Sequence, residues 1–394
     1  MEKRHVEHFN NFTLYSLTPC PDHLFITASV QEKHNDISQL TQDIYKKIIP
    51  LLQSMGTDIV LERVFGSLDI EPEFNQARDS ALRKTEWQAD APYTFIEGQP
   101  CFGTGLAGVQ IRAIRPSNKR EKIQPIKSGE QTIGRTWRRN GATFMMLQNI
   151  QGNGTAENRY EQTGQMFDRV QHILHQHGAG FKNVLRTWIY LDHILDWYDV
   201  FNKARNAKFT EFGLLGNPQS EYNEAERIYL PASTGIRGQN PAGTSGAMDV
   251  FVAIPNDSSN VHVAQTAGVQ QKSPYRYGSA FSRAMTLREH DSKHILLSGT
   301  ASINELGKTV HIDDPVGQID KTFSVVRALI SDEGATLEDI CEATVFFKNP
   351  EDYEHYKKYV QENDLIDLPA VYVIADVCRD NLLFEIDAAI SFEI

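Results

Sequence analysis

In the last third of the chain, apolar residues switch between two periods. HILLSGTASI (294–303) alternates and ends in small residues, which predicts a strand. Val316, Ile319, Phe323, Val326 and Ile330 then recur at three- and four-residue steps, predicting a helix with one buried face. Gly334 follows at a natural helix stop. ICEATVFF (340–347) is rich in β-branched and aromatic residues and reads as a strand. Asn349 and Pro350 break it, and Tyr353, Tyr356 and Val360 mark a second helix. Pro369 opens AVYVIADV, and LLFEIDAAISF closes the segment. The order is β-α-β-α-β-β behind a leading hairpin.

The middle third repeats this order. ATFMMLQNI (142–150) is the strand, Met166, Val170, Ile173 and Leu174 mark the helix, and Gly178 stands where Gly334 does. VLRTWIYL (184–191) is the next strand, and Trp197 and Phe201 begin the second helix. LPASTGI (230–236) matches LPAVYVI (368–374), and DVFVAI (249–254) is aligned with EIDAAI (385–390). The first third is a diverged copy. It contains LFITASV (24–30), a helix through Leu40, Ile44, Ile48 and Leu51, then Gly56, VLERVFGSL (60–68), APYTFIEG (91–98) and VQIRAI (109–114).

Three α+β units are therefore expected, at 1–118, 119–257 and 258–394. A sheet with one uncovered face buries it against its copies, so the units should close into an intrachain pseudo-trimer. Two polar stretches, 115–140 and 255–275, read as linkers, and the first is locally basic.

Composition narrows the picture. The chain has 394 residues, 40% of them hydrophobic and 23% charged, which is ordinary for a globular protein. The net charge of −12 argues against a general nucleic-acid binder. Any anion site must be built from a few arginines. No stretch reaches the length of a membrane span, and MEKRHVEHFNNF has no signal-peptide core, so a cytoplasmic protein is expected. Cys20, Cys101, Cys341 and Cys378 form no CxxC pair and are expected to be reduced.

Several motifs lead nowhere. GTGLAG (103–108) precedes a strand instead of a helix, so a glycine-rich turn explains it better than a dinucleotide site. His172, His175 and His177 lack metal-ligand spacing and read as an exposed helix end. Arg135, Arg138 and Arg139 surround Trp137, a weak hint of base stacking against the acidic total. No GxSxG is present. FEIDAAI is different. Glu385 and Asp387 share one face of a half-buried strand, where a carboxylate must be paired or used. The alignment above places Asp249 and Val109 opposite Glu385 in the other copies, so one working site is expected per chain.

SGTASI (298–303), GATLEDI (334–340) and VCRDNLLFEIDAAI (377–390) resemble the reactive-intermediate (imine) deaminase superfamily, with its chorismate-mutase-like fold and inter-subunit clefts. Together with DVCRDNLLFEI (376–386), YRYGSAFSRA (275–284), LPASTGI and LRTW (185–188), they resemble more closely the chorismatase family on that fold. The resemblance implies a small anionic substrate, chorismate, whose enolpyruvyl ether is cleaved to release pyruvate. It implies Glu385 as the catalytic glutamate, acting as general acid. It also implies that Cys378 and Gly299 mark the branch forming 3-hydroxybenzoate instead of the dihydrodiol, with Thr300 beside the substrate. Arg186, Arg276 and Arg283 are candidates for the substrate carboxylates, and Tyr277 and Tyr372 for hydrogen bonds. No metal or organic cofactor, nucleic acid or membrane is expected to take part, and the chain is expected to be a monomer with its trimer built in. The alternatives are an enamine or imine deaminase-like hydrolase and a non-catalytic small-molecule-binding protein. The deaminase reading loses a key arginine: Pro369-Ala370 is followed by Val371, and Pro231-Ala232 by Ser233.

Overall fold

The structure is a computed structural model that describes residues 3–84, 90–116, 122–154, 158–215, 230–256, 259–266, 280–365 and 368–394. The first unit contains β1 (Arg4–His8), β2 (Phe12–Leu17), β3 (His23–Val30), α1 (Ile37–Met55), β4 (Asp58–Gly66), α2 (Glu71–Arg83), β5 (Thr94–Glu97), β6 (Gln99–Pro100) and β7 (Leu106–Ile114). The second contains β8 (Gln124–Ser128), β9 (Gln131–Arg139), β10 (Ala142–Gln151), α3 (Arg159–Gln176), β11 (Val184–Leu191), α4 (Ile194–Glu211), β12 (Ala232–Arg237) and β13 (Gly246–Pro255). The third contains β14 (His262–Thr266), β15 (Ala284–Arg288), β16 (Ser292–Ala301), α5 (Pro315–Ser331), β17 (Ile340–Phe347), α6 (Asp352–Glu362), β18 (Ala370–Ile374) and β19 (Phe384–Glu393).

Three sheets repeat one topology: β1-β2-β3-β7-β4-β5, β8-β9-β10-β13-β11-β12 and β14-β15-β16-β19-β17-β18. The third sheet gains β6 at its edge, where Val373 pairs with Pro100, so the first unit is stitched to the third. The local signals repeat as well. Asp36, Asn158 and Asp314 cap α1, α3 and α5, each accepting a bond from the backbone N–H three residues on. Gly56, Gly178 and Gly334 follow in the left-handed region, at φ 60°, 71° and 83°. The basic stretch read as a linker instead forms β8 and β9, an edge hairpin whose outer strand buries only Ile126. Edge strands of this kind are polar because only one residue in two meets the core.

Each sheet buries one face under its own helices, giving three separate cores. The opposite faces meet in a fourth core shared by all three units, with Phe65, Trp188, Tyr190, Phe251, Phe346 and Val371 among its members. This is the intrachain pseudo-trimer. Trp137 lies inside it, stacked on Phe144 and Phe251, while Arg135 pairs with Asp90 and Arg139 with Glu289. The aromatic is therefore unavailable for stacking on nucleic acid. His172, His175 and His177 are exposed, as expected of a helix end. All four cysteines are free thiols. Among the described residues, no helix is long and apolar enough to cross a membrane.

The β-bulges fix the correspondence between units. β17, β11 and β4 each shift register against their central partner, between Ile340 and Glu342, Val184 and Arg186, and Ile59 and Leu61. Counting from these bulges, Glu385 faces Phe346, Ala247 faces Tyr190, and Gly108 faces Phe65. Glu385 therefore corresponds to Ala247 and Gly108, not to Asp249 and Val109. Asp249 and Gln110 instead correspond to Asp387. The correction leaves Glu385 with no carboxylate counterpart in either copy.

Candidate active site

Glu385 projects from the inner face of β19 into a cleft between the second and third units. α4 and β12 of the second unit supply Tyr198, Arg205, Ser233 and Gly235. The third unit supplies Phe281, Arg283, Gly299, Ala301, Ile303, Cys378 and Arg379. The cavity is narrow, about 50 Å³. A larger, polar cavity of about 470 Å³ lies between the first and second units, lined by Arg78, Tyr93, Phe95, Gln148 and Asn149. The second-unit counterpart of Glu385 is Ala247, which carries no acid, so size and chemistry part company. A buried acid facing arginines occurs in the smaller cleft.

Local geometry explains the acid. β16 is bulged against β19 between Leu297 and Thr300, bringing Gly299 beneath Glu385. A Cβ on Gly299 would collide with Glu385 Oε1. Burial, and secondarily the Asp387 carboxylate, raise the Glu385 pKa to about 8, although Arg186 and Arg283 pull the other way. A carboxyl of this kind holds its proton at neutral pH and can donate it. Cys378 lies beside it. Its thiol is pushed up to about 12, first by burial and then by the Glu385 charge, which favours the neutral thiol.

Cationic groups line the same cleft. Arg283 is buried and lies 5.6 Å from the Phe281 ring centroid. Arg205 is buried on α4 between the rings of Phe201 and Phe281, and it donates to Asn202 Oδ1 at 2.6 Å. Burial depresses its pKa. Arg379 donates to the Gly307 carbonyl at 2.7 Å. Gly235 keeps the cleft open, because its counterparts are Phe95 in the first unit and Tyr372 in the third. Tyr198 uses that space, with its hydroxyl 3.7 Å from where a Gly235 Cβ would stand.

The sequence-derived residues divide accordingly. Glu385, Cys378, Arg283 and Gly299 come together. Arg186 does not line the cleft. Its guanidinium lies 3.3 Å from Asp387, donates to Thr234 and stacks on Trp188. Thr300 is buried, and its hydroxyl is spent on the Ser298 carbonyl. Tyr372 packs on Tyr353 and Tyr356 under the third sheet's helices, away from Glu385. Arg276 and Tyr277 lie outside the described residues. Sequence reasoning missed Tyr198, Arg205, Ser233, Gly235 and Arg379. Arg379 stands inside the quoted DVCRDN motif, and Arg205 lies one helical face below Tyr198 and Phe201.

Comparison with known proteins agrees with this architecture. Residues 277–391 match the family described as Endoribonuclease L-PSP. A 3-hydroxybenzoate synthase from Streptomyces hygroscopicus is 25% identical over 236 residues, which cover 54% of this chain and 64% of that protein. The match thus spans just under two thirds of that relative's length. A chorismatase crystal structure superposes with a TM-score of 0.59 at 18% identity, covering 84% of this chain and 93% of the other. A putative endoribonuclease structure from Thermotoga maritima is 17% identical and covers 32% of this chain and 95% of its own, with a TM-score of 0.28. The chain thus shares its fold with that chorismatase and carries an L-PSP-type segment in its third unit.

Proposed function

We propose that this chain is a chorismatase, with Glu385 as the general acid. The observation that carries the proposal is a buried glutamate, its pKa raised to about 8 by burial, in a cleft between units that three arginines line. Chorismate has two carboxylates and a vinyl ether. Cleaving the ether begins with proton transfer to its terminal methylene carbon, giving an oxocarbenium ion. Carbon is a poor base, so the acid must be strong for its environment and well placed. Glu385 supplies that proton. Arg205, Arg283 and Arg379 are the candidates for the two carboxylates, because planar guanidinium groups pair with them bidentately.

Two routes follow from the cation. Water can add to it, and the hemiketal collapses to pyruvate and a dihydrodiol. Alternatively, the neighbouring ring hydroxyl displaces the protonated side chain, pyruvate leaves, and the ring isomerises to 3-hydroxybenzoate with no atom gained or lost. The second route is favoured by the neutral, compact Cys378 beside the acid and by the named activity of the Streptomyces relative.

The test is incubation of the purified protein with chorismate, following pyruvate and identifying the aromatic product by chromatography. Equimolar pyruvate and 3-hydroxybenzoate are expected. Pyruvate with dihydrodiol would leave the acid in place and overturn the product. Binding without turnover, or ammonia release from imines alone, would overturn the function.

A further inference from the structure

The three leading hairpins turn at one end of the shared core, far from the cleft. The β2–β3 turn brings Cys20 and places His23 at the start of its strand, the β9–β10 turn brings Arg139 and Asn140, and the β15–β16 turn brings Glu289 with His294 just beyond. The bulge-based register makes His23, Phe144 and His294 equivalent positions in the three units, paired with Ile114, Ala253 and Ser391 respectively. Near-threefold geometry therefore gathers the two imidazoles, whose ring centroids are 4.6 Å apart.

Cys20 completes a cluster. One ligand atom from each of Cys20, His23 and His294 lies within 4.8 Å of the others. Cys20, His294 and Glu289 are buried. Glu289 is held in a fixed orientation. Its Oε2 accepts from Asn140 at 2.8 Å and lies 3.1 Å from Arg139 Nε. That leaves Oε1 facing His294 Nε2 at 3.3 Å and His23 Nε2 at 3.8 Å. His23 Nε2 is buried and makes no hydrogen bond, although buried polar atoms are normally satisfied. His294 Nδ1 lies 2.8 Å from Ser391 Oγ, the second-sphere bond that orients a ligating imidazole.

We propose that Cys20, His23 and His294, with Glu289 as the fourth group, form a binding site for a zinc-class divalent cation that ties the first unit to the third. Sulfur, two imidazole nitrogens and a carboxylate oxygen suit a tetrahedral borderline-soft ion. Ligand-to-ligand edges around zinc are roughly 3.3–3.7 Å, from metal–ligand bonds of about 2.0–2.3 Å. The Glu289–His294 contact already lies at that spacing and Glu289–His23 just beyond it, while Cys20, His23 and His294, within 4.8 Å of one another, need to close by about 1 Å. Binding releases the Cys20 thiol proton to solvent. The site is structural. Ser391 and Glu385 are six residues apart on β19, about 20 Å at 3.3 Å per residue, so the ion does not reach the acid. Sequence spacing could not reveal it, because the ligands come from the first and third units.

The test uses the full chain, stripped with chelator and titrated with Zn²⁺ or Co²⁺ alone. One equivalent should bind, with a thiolate-to-cobalt charge-transfer band and a raised melting temperature. Cys20→Ala and His23→Phe should each weaken binding by at least about 100-fold, beyond the 10–100-fold usual for outer-sphere losses. His23→Phe installs the side chain that the second unit already carries at Phe144, so its packing is tolerated. No stoichiometric binding by the wild-type chain would overturn the proposal and reduce the cluster to an ordinary His294–Glu289 ion pair. Undiminished binding by both variants would also overturn it.

Discussion

The carboxylate of Glu385 fills the space where a side chain on Gly299 would begin. A glycine in β16 thus gives an acid in β19 its position. The bulge that brings them together also recurs in β10, between Leu147 and Ile150, where Asn149 stands instead. There the counterpart of Glu385 is Ala247, and the carboxylate at the bulge is that of Asp249, whose Oδ1 accepts from the Asn149 backbone N–H at 2.8 Å.

Gly299→Ala is expected to fold, because what obstructs the new methyl is the movable end of Glu385 and not backbone. The displaced carboxyl should lower kcat by about 10²-fold, the scale of an ångström-sized misplacement. Turnover and thermal melts on the same preparation check this. Wild-type kcat would show that the glycine does not position the acid.

Acid catalysis by a group titrating near pH 8 has a signed consequence. On the proposed mechanism the protonated form is the active one, so kcat for chorismate should be flat below about pH 7 and fall tenfold per unit well above pH 8. Folding carries the matching signature. The native carboxyl holds its proton up to about 8, whereas the unfolded one loses it near 4.3, so stability is lost as pH rises between those values. Glu385→Gln removes this loss. It should be more stable than wild type on the order of 3 kcal/mol at pH 7 and equal to it at pH 4. Denaturant melts at the two pH values decide the matter.

Arginines in and out of the cleft should behave differently. Arg186→Met strands the buried Asp387 carboxylate and should cost about 3–5 kcal/mol of stability. Arg205→Met and Arg283→Met should instead raise KM for chorismate, by about 1.5–3 kcal/mol per charged hydrogen bond, with smaller effects on melting. A rise in KM without destabilisation for Arg186→Met would return that residue to the substrate.

Gly235→Phe copies Phe95, the residue that the first unit carries at the same position. It should displace Tyr198 and block substrate binding while the sheet stays intact. Gly235→Ala meets Tyr198 only at ordinary contact distance and should retain activity. Substrate titrations of the two variants make the comparison.

The repeats were legible because α1, α3 and α5 carry strong apolar periodicity and end on glycine. The register of the closing strands was not. Aligning DVFVAI with EIDAAI slips the second copy by two residues, and a two-residue slip leaves every side chain on its own face. Hydrophobicity cannot detect it, whereas the bulge between Val184 and Arg186 does. The first copy slips by one residue, because β7 is buried on both faces and shows no alternation. Glu385, Cys378 and Gly299 were singled out through the motifs of the resembled family. Arg205 was missed because helix arginines usually face water, and only the folded chain turns this one inward.

The most direct measurement of the central claim is the single-turnover rate of pyruvate release from chorismate by wild type and Glu385→Gln. Glutamine keeps the shape but has no proton to transfer. The rate should fall by about 10²–10⁴-fold while chorismate affinity is retained through the arginines. Release at the wild-type rate by the folded variant, or no release by the wild type itself, would contradict the account.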